Sequence, residues 1–104
     1  MTILEGIDMS FTLNIETDFP PQEVIEAIRS ALEHEKHVTR YKIKRYSTIC
    51  NEFEKKFGLN SAELQKHFEN GEITDKSDFF DWYAAKRELD HWNKRLEILS
   101  GVSF

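Results

Sequence analysis

An alternation of apolar and polar residues between positions 10 and 17 is the first regular pattern along the chain. Phe11, Leu13 and Ile15 are apolar, and the residues between them are polar. A period of two is typical of a half-buried β-strand. A single strand cannot satisfy its own backbone hydrogen bonds, and no second stretch of the chain has this pattern. We therefore expect the strand to pair with a second copy or with another protein's sheet, or not to form.

Helical periodicity replaces this alternation after Pro20 and Pro21, which suit the first turn of a helix. Apolar residues then recur every three or four positions along one stripe. The stripe consists of Val24, Ile25, Ile28, Ala31 and Leu32 and, after a weaker stretch, Tyr46, Ile49, Cys50, Phe53 and Phe57. It predicts one long helix that ends near Lys56, with Gly58 as a left-handed C-terminal cap.

A short second helix is predicted from the residues at its two ends. Asn60 is a suitable N-cap, and Glu63 occupies the third helical position, as in a capping box. Leu59 and Leu64 have the spacing of a hydrophobic staple across the same end. We expect this helix to end at Gly71.

The last helix is predicted to begin between residues 74 and 77. Its apolar residues are separated by three or four positions, a heptad-like spacing typical of a helix that packs on another helix. They are Phe79, Trp82, Ala85, Leu89, Trp92, Leu96 and Leu99. The helix on which this seam packs can lie in the same chain or in a second one.

Together these patterns predict a mainly α protein: a short N-terminal β-strand, one long helix, one short helix and a C-terminal heptad-patterned helix. A length of 104 residues fits one domain. We expect residues 10–104 to form a single helical domain with an N-terminal strand. Residues 1–9 are expected to be a poorly ordered extension.

Charge divides the chain into three parts. The net charge is −7 over residues 1–35, +5 over residues 36–45 and −3 over residues 46–104, for a total of −5. The central basic band consists of Lys36, Arg40, Lys42, Lys44 and Arg45. It is a candidate interaction surface, and the alternative is a solvated helix face with internal ion pairs. Because the whole chain is acidic, nucleic acid is not the favoured partner.

Cysteine content and hydropathy favour a cytoplasmic protein. Cys50 is the single cysteine, so no intramolecular disulfide can form, as is usual in a reducing compartment. Residues 1–10 lack the basic start and the long apolar run of a signal peptide. No stretch approaches 18 consecutive apolar residues, so we expect no contact with a membrane.

No residue pattern points to a metal, a cofactor or a catalytic centre. His34 and His37 lie three positions apart on the first helix, but no cysteine or further histidine is near them in sequence. Cys50 lies on the apolar stripe, where a cysteine is usually inert packing. Glycine-rich phosphate loops, nucleophile elbows and zinc-protease motifs are absent from the sequence. We therefore expect a protein that is not an enzyme.

One alternative is a helical ribonuclease of the HEPN type. Arg29 and His34 have the Arg-x4-6-His spacing of such enzymes, in which the pair could act on a phosphodiester. About 0.6 matches to so short a motif are expected by chance in a chain of this composition. The match is therefore weak.

A second alternative is a DNA-binding autorepressor. A strand followed by helices is the order found in ribbon-helix-helix repressors, whose paired strands enter the major groove. In this chain Glu16 lies within the strand, and Asp8 and Asp18 flank it. Acidic residues repel phosphate, so the strand is poorly suited to reading a groove.

Two adjacent stretches resemble a known family. Residues 53–73 read FEKKFGLNSAELQKHFENGEI, and residues 78–84 read DFFDWYA. They are similar to the core FExKYGMSSxEFxxxFExGEL…DFFEWYA of small helical prokaryotic proteins that are common in archaea. The matching positions are Phe53, Gly58, Ser61, Glu63, Phe68, Gly71, Glu72, Phe80, Trp82 and Ala84. Phe57 stands where tyrosine is common in the family, and Leu59 where methionine is.

The resemblance implies the antitoxin component of a two-gene toxin–antitoxin module. The expected function is to bind a toxin stoichiometrically and neutralise it, with a protein toxin or a homo-oligomer as the partner. The candidate partner-binding residues are the apolar strand positions and aromatic residues of the last helix, namely Phe11, Leu13, Ile15, Phe80, Trp82, Tyr83 and Trp92.

Overall fold

Three helices account for 78% of the residues described by a computed structural model, which are residues 10, 12–73 and 77–103. They are α1 (Pro21–Phe57), α2 (Ser61–Glu69) and α3 (Ser77–Ser100). The predicted mainly α class and the order of a long, a short and a C-terminal helix are confirmed.

The predicted strand lies in a segment that the structure describes only in part. Residues 12–17 belong to neither a helix nor a strand, and Phe11 and residues 1–9 lie outside the described residues. The strand is expected to form only when a second chain supplies its hydrogen-bond partners. It therefore stays a prediction for a complex of this chain with another one.

The two ends of α1 follow from its local sequence. The Pro20 carbonyl accepts hydrogen bonds from the backbone N–H groups of Glu23 and Val24, so the proline pair opens the first turn. At the other end Gly58 adopts φ 64° and ψ 28°, and its N–H donates to the Glu54 carbonyl at 2.8 Å. The predicted left-handed cap is confirmed, and α1 ends at Phe57, one residue after the predicted position.

The start of α2 is held by side chains from both sides. Asn60 Oδ1 accepts from the backbone N–H groups of Ala62 (2.9 Å) and Glu63 (3.2 Å), which confirms the predicted N-cap. A carboxylate of α1 joins it, since Glu54 Oε2 accepts from the Ser61 N–H at 2.8 Å. The helix ends at Glu69, two residues before the predicted position, and Gly71 follows with φ 72°.

Helices α1 and α3 form an antiparallel hairpin. The rings of Phe57 and Phe79 lie 4.9 Å apart at one end, where α1 finishes and α3 begins. Further along, Arg95 Nε donates to Glu35 Oε2 at 2.9 Å, and Arg95 Nη2 forms an ion pair with the same oxygen at 2.9 Å. Helix α2 packs on α3 near the first of these ends. The principal extents are 58, 33 and 19 Å, and a 37-residue helix is about 55 Å long, so α1 sets the long dimension.

The hydrophobic core occupies the end of the hairpin that α2 covers. Its buried apolar members are Cys50, Leu64, Trp82 and Ala85, bordered by partly buried residues of α1, of α3 and of the segments on either side of α2. Trp82 is 0% exposed, lies 5.7 Å from Phe53 between ring centroids, and donates from Nε1 to Ser61 Oγ at 2.8 Å. Trp82 is therefore a core residue of this chain, and its predicted contact with a partner stays a prediction.

Candidate protein-binding surface

Exposed apolar side chains are concentrated in the segment that precedes α1. We call residues 12–20 the N-terminal arm. Leu13 is 67% exposed and Phe19 is 70% exposed, and Ile15 is also exposed. Within the arm, the Phe19 N–H donates a local hydrogen bond to Thr17 Oγ1 at 3.2 Å. Two of the predicted partner-binding residues, Leu13 and Ile15, are therefore available to a second molecule.

A cluster of aromatic rings forms a second, partly exposed surface, on α2 and the first turns of α3. We call Phe68, Phe80 and Tyr83 the aromatic cluster. Phe68 stacks on Tyr83 at 4.2 Å between centroids and meets Phe80 edge-on at 5.1 Å. Phe80 is 51% exposed. The Tyr83 hydroxyl donates to Glu69 Oε2 at 3.0 Å, and this bond fixes the ring and raises the pKa of Tyr83.

The aromatic cluster continues along the outward face of α3. Arg87 lies one turn beyond Tyr83, with its guanidinium 5.9 Å from the Tyr83 ring centroid. A shallow surface depression of about 380 Å³ adjoins it, lined by Ala84, Arg87, Glu88 and His91. Ala84 opens this depression because its side chain is a single methyl group between larger neighbours. The arrangement offers aromatic, apolar and cationic contacts side by side.

Trp92 lies at the border between α3 and α1 and is half-buried. The Lys42 ammonium and the Arg95 guanidinium are each 5.9 Å from its ring centroid. Its indole N–H donates to Glu88 Oε1 at 3.1 Å. Trp92 is thus held in place by its own chain, and only part of its surface can reach a partner.

The basic band does not form one continuous face. The Lys36 side chain is mostly buried, and its Nζ lies 3.4 Å from Glu33 Oε2. The Lys42 ammonium lies over the Trp92 ring. The other three members, Arg40, Lys44 and Arg45, are exposed. At about 100° per residue they lie on the side of α1 away from α3. The band is therefore split: Lys42 lies at the contact between α1 and α3, and Arg40, Lys44 and Arg45 face the solvent.

The residues considered for catalysis do not converge in the structure. Arg29 and His34 are exposed on α1, and five positions on a helix place them about 140° apart around its axis. His34 and His37 are exposed as well. Within residues 10, 12–73 and 77–103, no three His, Cys, Asp or Glu side chains are grouped as metal ligands.

Cys50 is a buried free thiol. Its side chain lies in the core beside Ser61 and Trp82. Burial raises the pKa of the Cys50 thiol above its ordinary value, and a hydrogen bond with Ser61 opposes this shift in part. A protonated, covered thiol is a packing group and a poor nucleophile at neutral pH.

No helix in the described part of the chain combines the length and the apolar character needed to cross a membrane.

The comparisons with known proteins give no relative: no family model, curated protein or solved structure matches the chain. The antitoxin-like resemblance therefore rests on the quoted motifs. Several of those motif positions build the fold, since Gly58 caps α1, Ser61 bonds Trp82, and Phe53 packs on Trp82. Phe68 and Phe80 differ from them because they form the exposed aromatic cluster.

Sequence reasoning missed part of this surface. Phe68, Arg87 and His91 were not among the predicted partner-binding residues. Phe68 contacts Phe80, Arg87 lies beside Tyr83, and His91 lines the depression next to Arg87. A second helical stripe opposite the apolar seam could have revealed most of it. The stripe consists of Phe80, Ala84, Arg87, His91, Lys94 and Ile98, with spacings of four and three.

Proposed function

We propose that the protein is a binding module that holds one protein partner in a stoichiometric complex, as an antitoxin holds its toxin. The observation that carries the proposal is the imbalance between buried and exposed apolar residues. Only four apolar side chains of the described residues are buried, whereas Leu13, Phe19 and Phe80 are more than half exposed. Leu13 and Phe19 lie together in the arm, and Phe80 lies in the aromatic cluster at the other end of α1. Exposed apolar groups that occur together, as in the arm, are typical of interaction sites.

The aromatic cluster is the proposed anchor for the partner. Tyrosine and arginine are enriched among residues that dominate binding energy, and such residues usually form compact groups. Tyr83 is held by Phe68 and Glu69 before any partner arrives. A side chain that is already ordered loses little conformational entropy on binding, so this cluster can contribute most of its contact energy to affinity.

The N-terminal arm is the proposed second contact. An extended segment can add to the edge of another protein's sheet, where main-chain hydrogen bonds give affinity and alternate side chains give specificity. Leu13, Ile15 and, by its position in the sequence, Phe11 would then face the partner together. The arm becomes ordered as it binds, which lowers the net affinity but lets it cover a large surface.

In this proposal the activity is binding in the cytoplasm, with no catalytic step and no cofactor. The protein would neutralise the toxin by covering its functional surface. A toxin bound in this way to the arm and the aromatic cluster cannot reach its target. The basic residues Arg40, Lys44 and Arg45 are left free on the opposite side of α1.

Coexpression with the product of the adjacent reading frame tests the proposal. A tagged copy of this chain is expected to recover an untagged toxin in an equimolar complex and to restore growth. Phe80→Ala should reduce recovery, because it removes the most exposed ring of the aromatic cluster. Tyr41→Ala is the matched control, since Tyr41 is 63% exposed but lies on the far side of α1. Equal recovery with both variants would contradict the assigned surface.

A further inference from the structure

The side of α1 that faces away from α3 carries opposite charges in its two halves. We infer that this side of α1 pairs with the same side of α1 in a second copy, with the two helices antiparallel, and that the product is a two-fold homodimer. This inference goes beyond the proposed function, because it uses neither the arm nor the aromatic cluster and requires no toxin.

The exposed side of α1 lies opposite its buried residues, Thr39 and Cys50. Exposed positions recur along it every three or four residues from the first turn onward. We call this side the outward face of α1. The members that the inference uses are Glu23, Glu26, Ala27, Arg40, Tyr41 and Lys44.

Helical geometry brings the charged members of the outward face into one narrow strip. Glu26 and Lys44 are five turns apart and lie on one line along α1, at about 100° per residue. Glu23 lies about 60° around the axis from that line. Two further cations, Arg29 and Arg45, lie at the two edges of the face, about 160° apart. A helix that packs on the centre of the face therefore meets the strip and not these edges.

Acidic and basic side chains occupy different halves of this strip. Glu23 and Glu26 lie in the first two turns of α1, and Arg40 and Lys44 lie about five turns further on. Glu23, Arg40 and Lys44 form no ion pair within residues 10, 12–73 and 77–103. Glu26 accepts only a neutral donor, Gln22 Nε2, at 3.4 Å. These four charges are therefore available to a second molecule.

Most of the charges between these two groups are already paired within the chain. Glu33 lies 3.4 Å from Lys36, and Glu35 is paired with Arg95 of α3. The Lys42 ammonium lies over an aromatic ring of α3. The middle of α1 thus adds little net charge to the face, and its two ends determine which partner it attracts.

A two-fold axis that crosses α1 between residues 33 and 34 brings opposite charges together. Glu23 and Lys44 lie at equal distances from this axis, about 16 Å on either side. In an antiparallel pair, each Glu23 is therefore level with Lys44 of the other copy. Each Glu26 is likewise within about 2 Å of the level of Arg40. The axis repeats both contacts, so four pairs of opposite charges form and the dimer closes on itself.

The same register places a large side chain opposite a small one. Tyr41 is 63% exposed, and it lies within about 2 Å of the level of Ala27 in the other copy. A ring that packs on a methyl group allows the two helices to approach within the usual 8–10 Å. A parallel pair has neither advantage, because it places Glu23 beside Glu23 and Lys44 beside Lys44. The charges therefore select the antiparallel orientation.

Charge reversal tests the pairing in the full-length chain. Glu23→Lys with Glu26→Lys makes both ends of the face basic, and Arg40→Glu with Lys44→Glu makes both ends acidic. Each double variant should raise the dissociation constant of the homodimer at least about tenfold, because the two-fold axis repeats every change. Sedimentation equilibrium measures each constant. Added salt should raise the constant of the unaltered chain, since exposed charges are screened.

The two double variants should bind each other although neither pairs with itself. When they are mixed, a basic face meets an acidic one along its whole length, and a 1:1 heterodimer is expected. All four changes in one chain reverse the polarity of the face and should return the dissociation constant close to its original value. The four-fold variant contains the same change in the first turn of α1, so its recovery excludes local unfolding as the cause of dissociation.

A control variant separates this contact from a general effect of charge. Arg87→Glu with Lys94→Glu changes the net charge by as much as Arg40→Glu with Lys44→Glu, but on α3. It should leave the dissociation constant unchanged. Far-ultraviolet circular dichroism checks that every variant keeps its helices, which is expected because all the altered residues are exposed.

Three results would overturn the inference: an unaltered chain that is monomeric at its highest soluble concentration, double variants that dimerise as tightly as the unaltered chain, or a mixture of the two double variants that stays monomeric. None of them bears on toxin binding, which coexpression tests on a different surface.

Discussion

The buried hydrogen bond between Trp82 and Ser61 joins two residues that are 21 positions apart in the sequence. Trp82 Nε1 donates to Ser61 Oγ at 2.8 Å, in a place that solvent does not reach. The Ser61 N–H in turn donates to Glu54, so one serine joins all three helices. A buried donor that loses its acceptor costs more than the bond itself contributes, because it cannot turn to water instead.

Ser61→Ala is therefore expected to lower the free energy of unfolding by about 1–3 kcal/mol. Ser30→Ala, at an exposed position of α1, should change it by less than about 0.5 kcal/mol. Urea denaturation gives both values. Adding Trp82→Phe to Ser61→Ala should cost less than the sum of the two single changes, because both bonding partners are then gone. Full additivity would show that this hydrogen bond does not contribute as described.

Cys50 makes stability sensitive to alkaline pH. The thiol has an ordinary pKa of 9.0, and burial raises that pKa in the folded state, so folding favours the protonated thiol. The resulting stabilisation is fully present below the unfolded pKa and is lost as the pH rises through the higher folded pKa.

The stability difference between the native chain and Cys50→Ala should thus be constant between pH 7 and pH 8.5 and should shrink above about pH 9. The comparison of two chains cancels the titration of tyrosines and lysines. A difference that stayed constant to pH 10.5 would contradict the raised pKa.

At the scale of helices, local sequence predicts where an element begins and ends. The caps at Gly58 and Asn60 were both predicted, since each depends on residues within one turn of the helix end. Which stripe of α3 is covered depends on contacts between distant segments. The seam through Trp82 and Ala85 was predicted, but the exposed stripe from Phe80 to Ile98 was not, because polar and apolar residues alternate along it and it does not stand out as an apolar face.

Gly58→Ala tests the cap of α1. Nothing lies within 4 Å of the position that a Cβ would take, so the cost comes from the backbone at φ 64° alone. A left-handed conformation costs a residue with a Cβ about 1–2 kcal/mol. Thermal denaturation should show a midpoint lower by about 4–12 °C. Gly101→Ala is the control, because that glycine has no left-handed φ and its Cβ would make ordinary contacts.

The whole molecule is long and thinly packed. Its radius of gyration is 19.3 Å, whereas a compact chain of 104 residues has about 13 Å. Its hairpin is covered by α2 at one end only, and the first turns of α1 extend beyond α3. A fold with so small a core gains stability from any molecule that binds its native state. We propose that the arm and the aromatic cluster together bind such a molecule.

Hydrogen exchange of the arm, measured in the dilute chain and in the complex with a toxin, tests that claim most directly. The amides of residues 12–19 should exchange freely in the dilute monomer and become protected in the assembly, together with those near Phe80. Leu13→Pro removes one backbone donor and should abolish this protection while α1 and α3 stay helical. Arm amides that are already protected in a proven monomer, or that exchange freely in every assembly, would contradict the account.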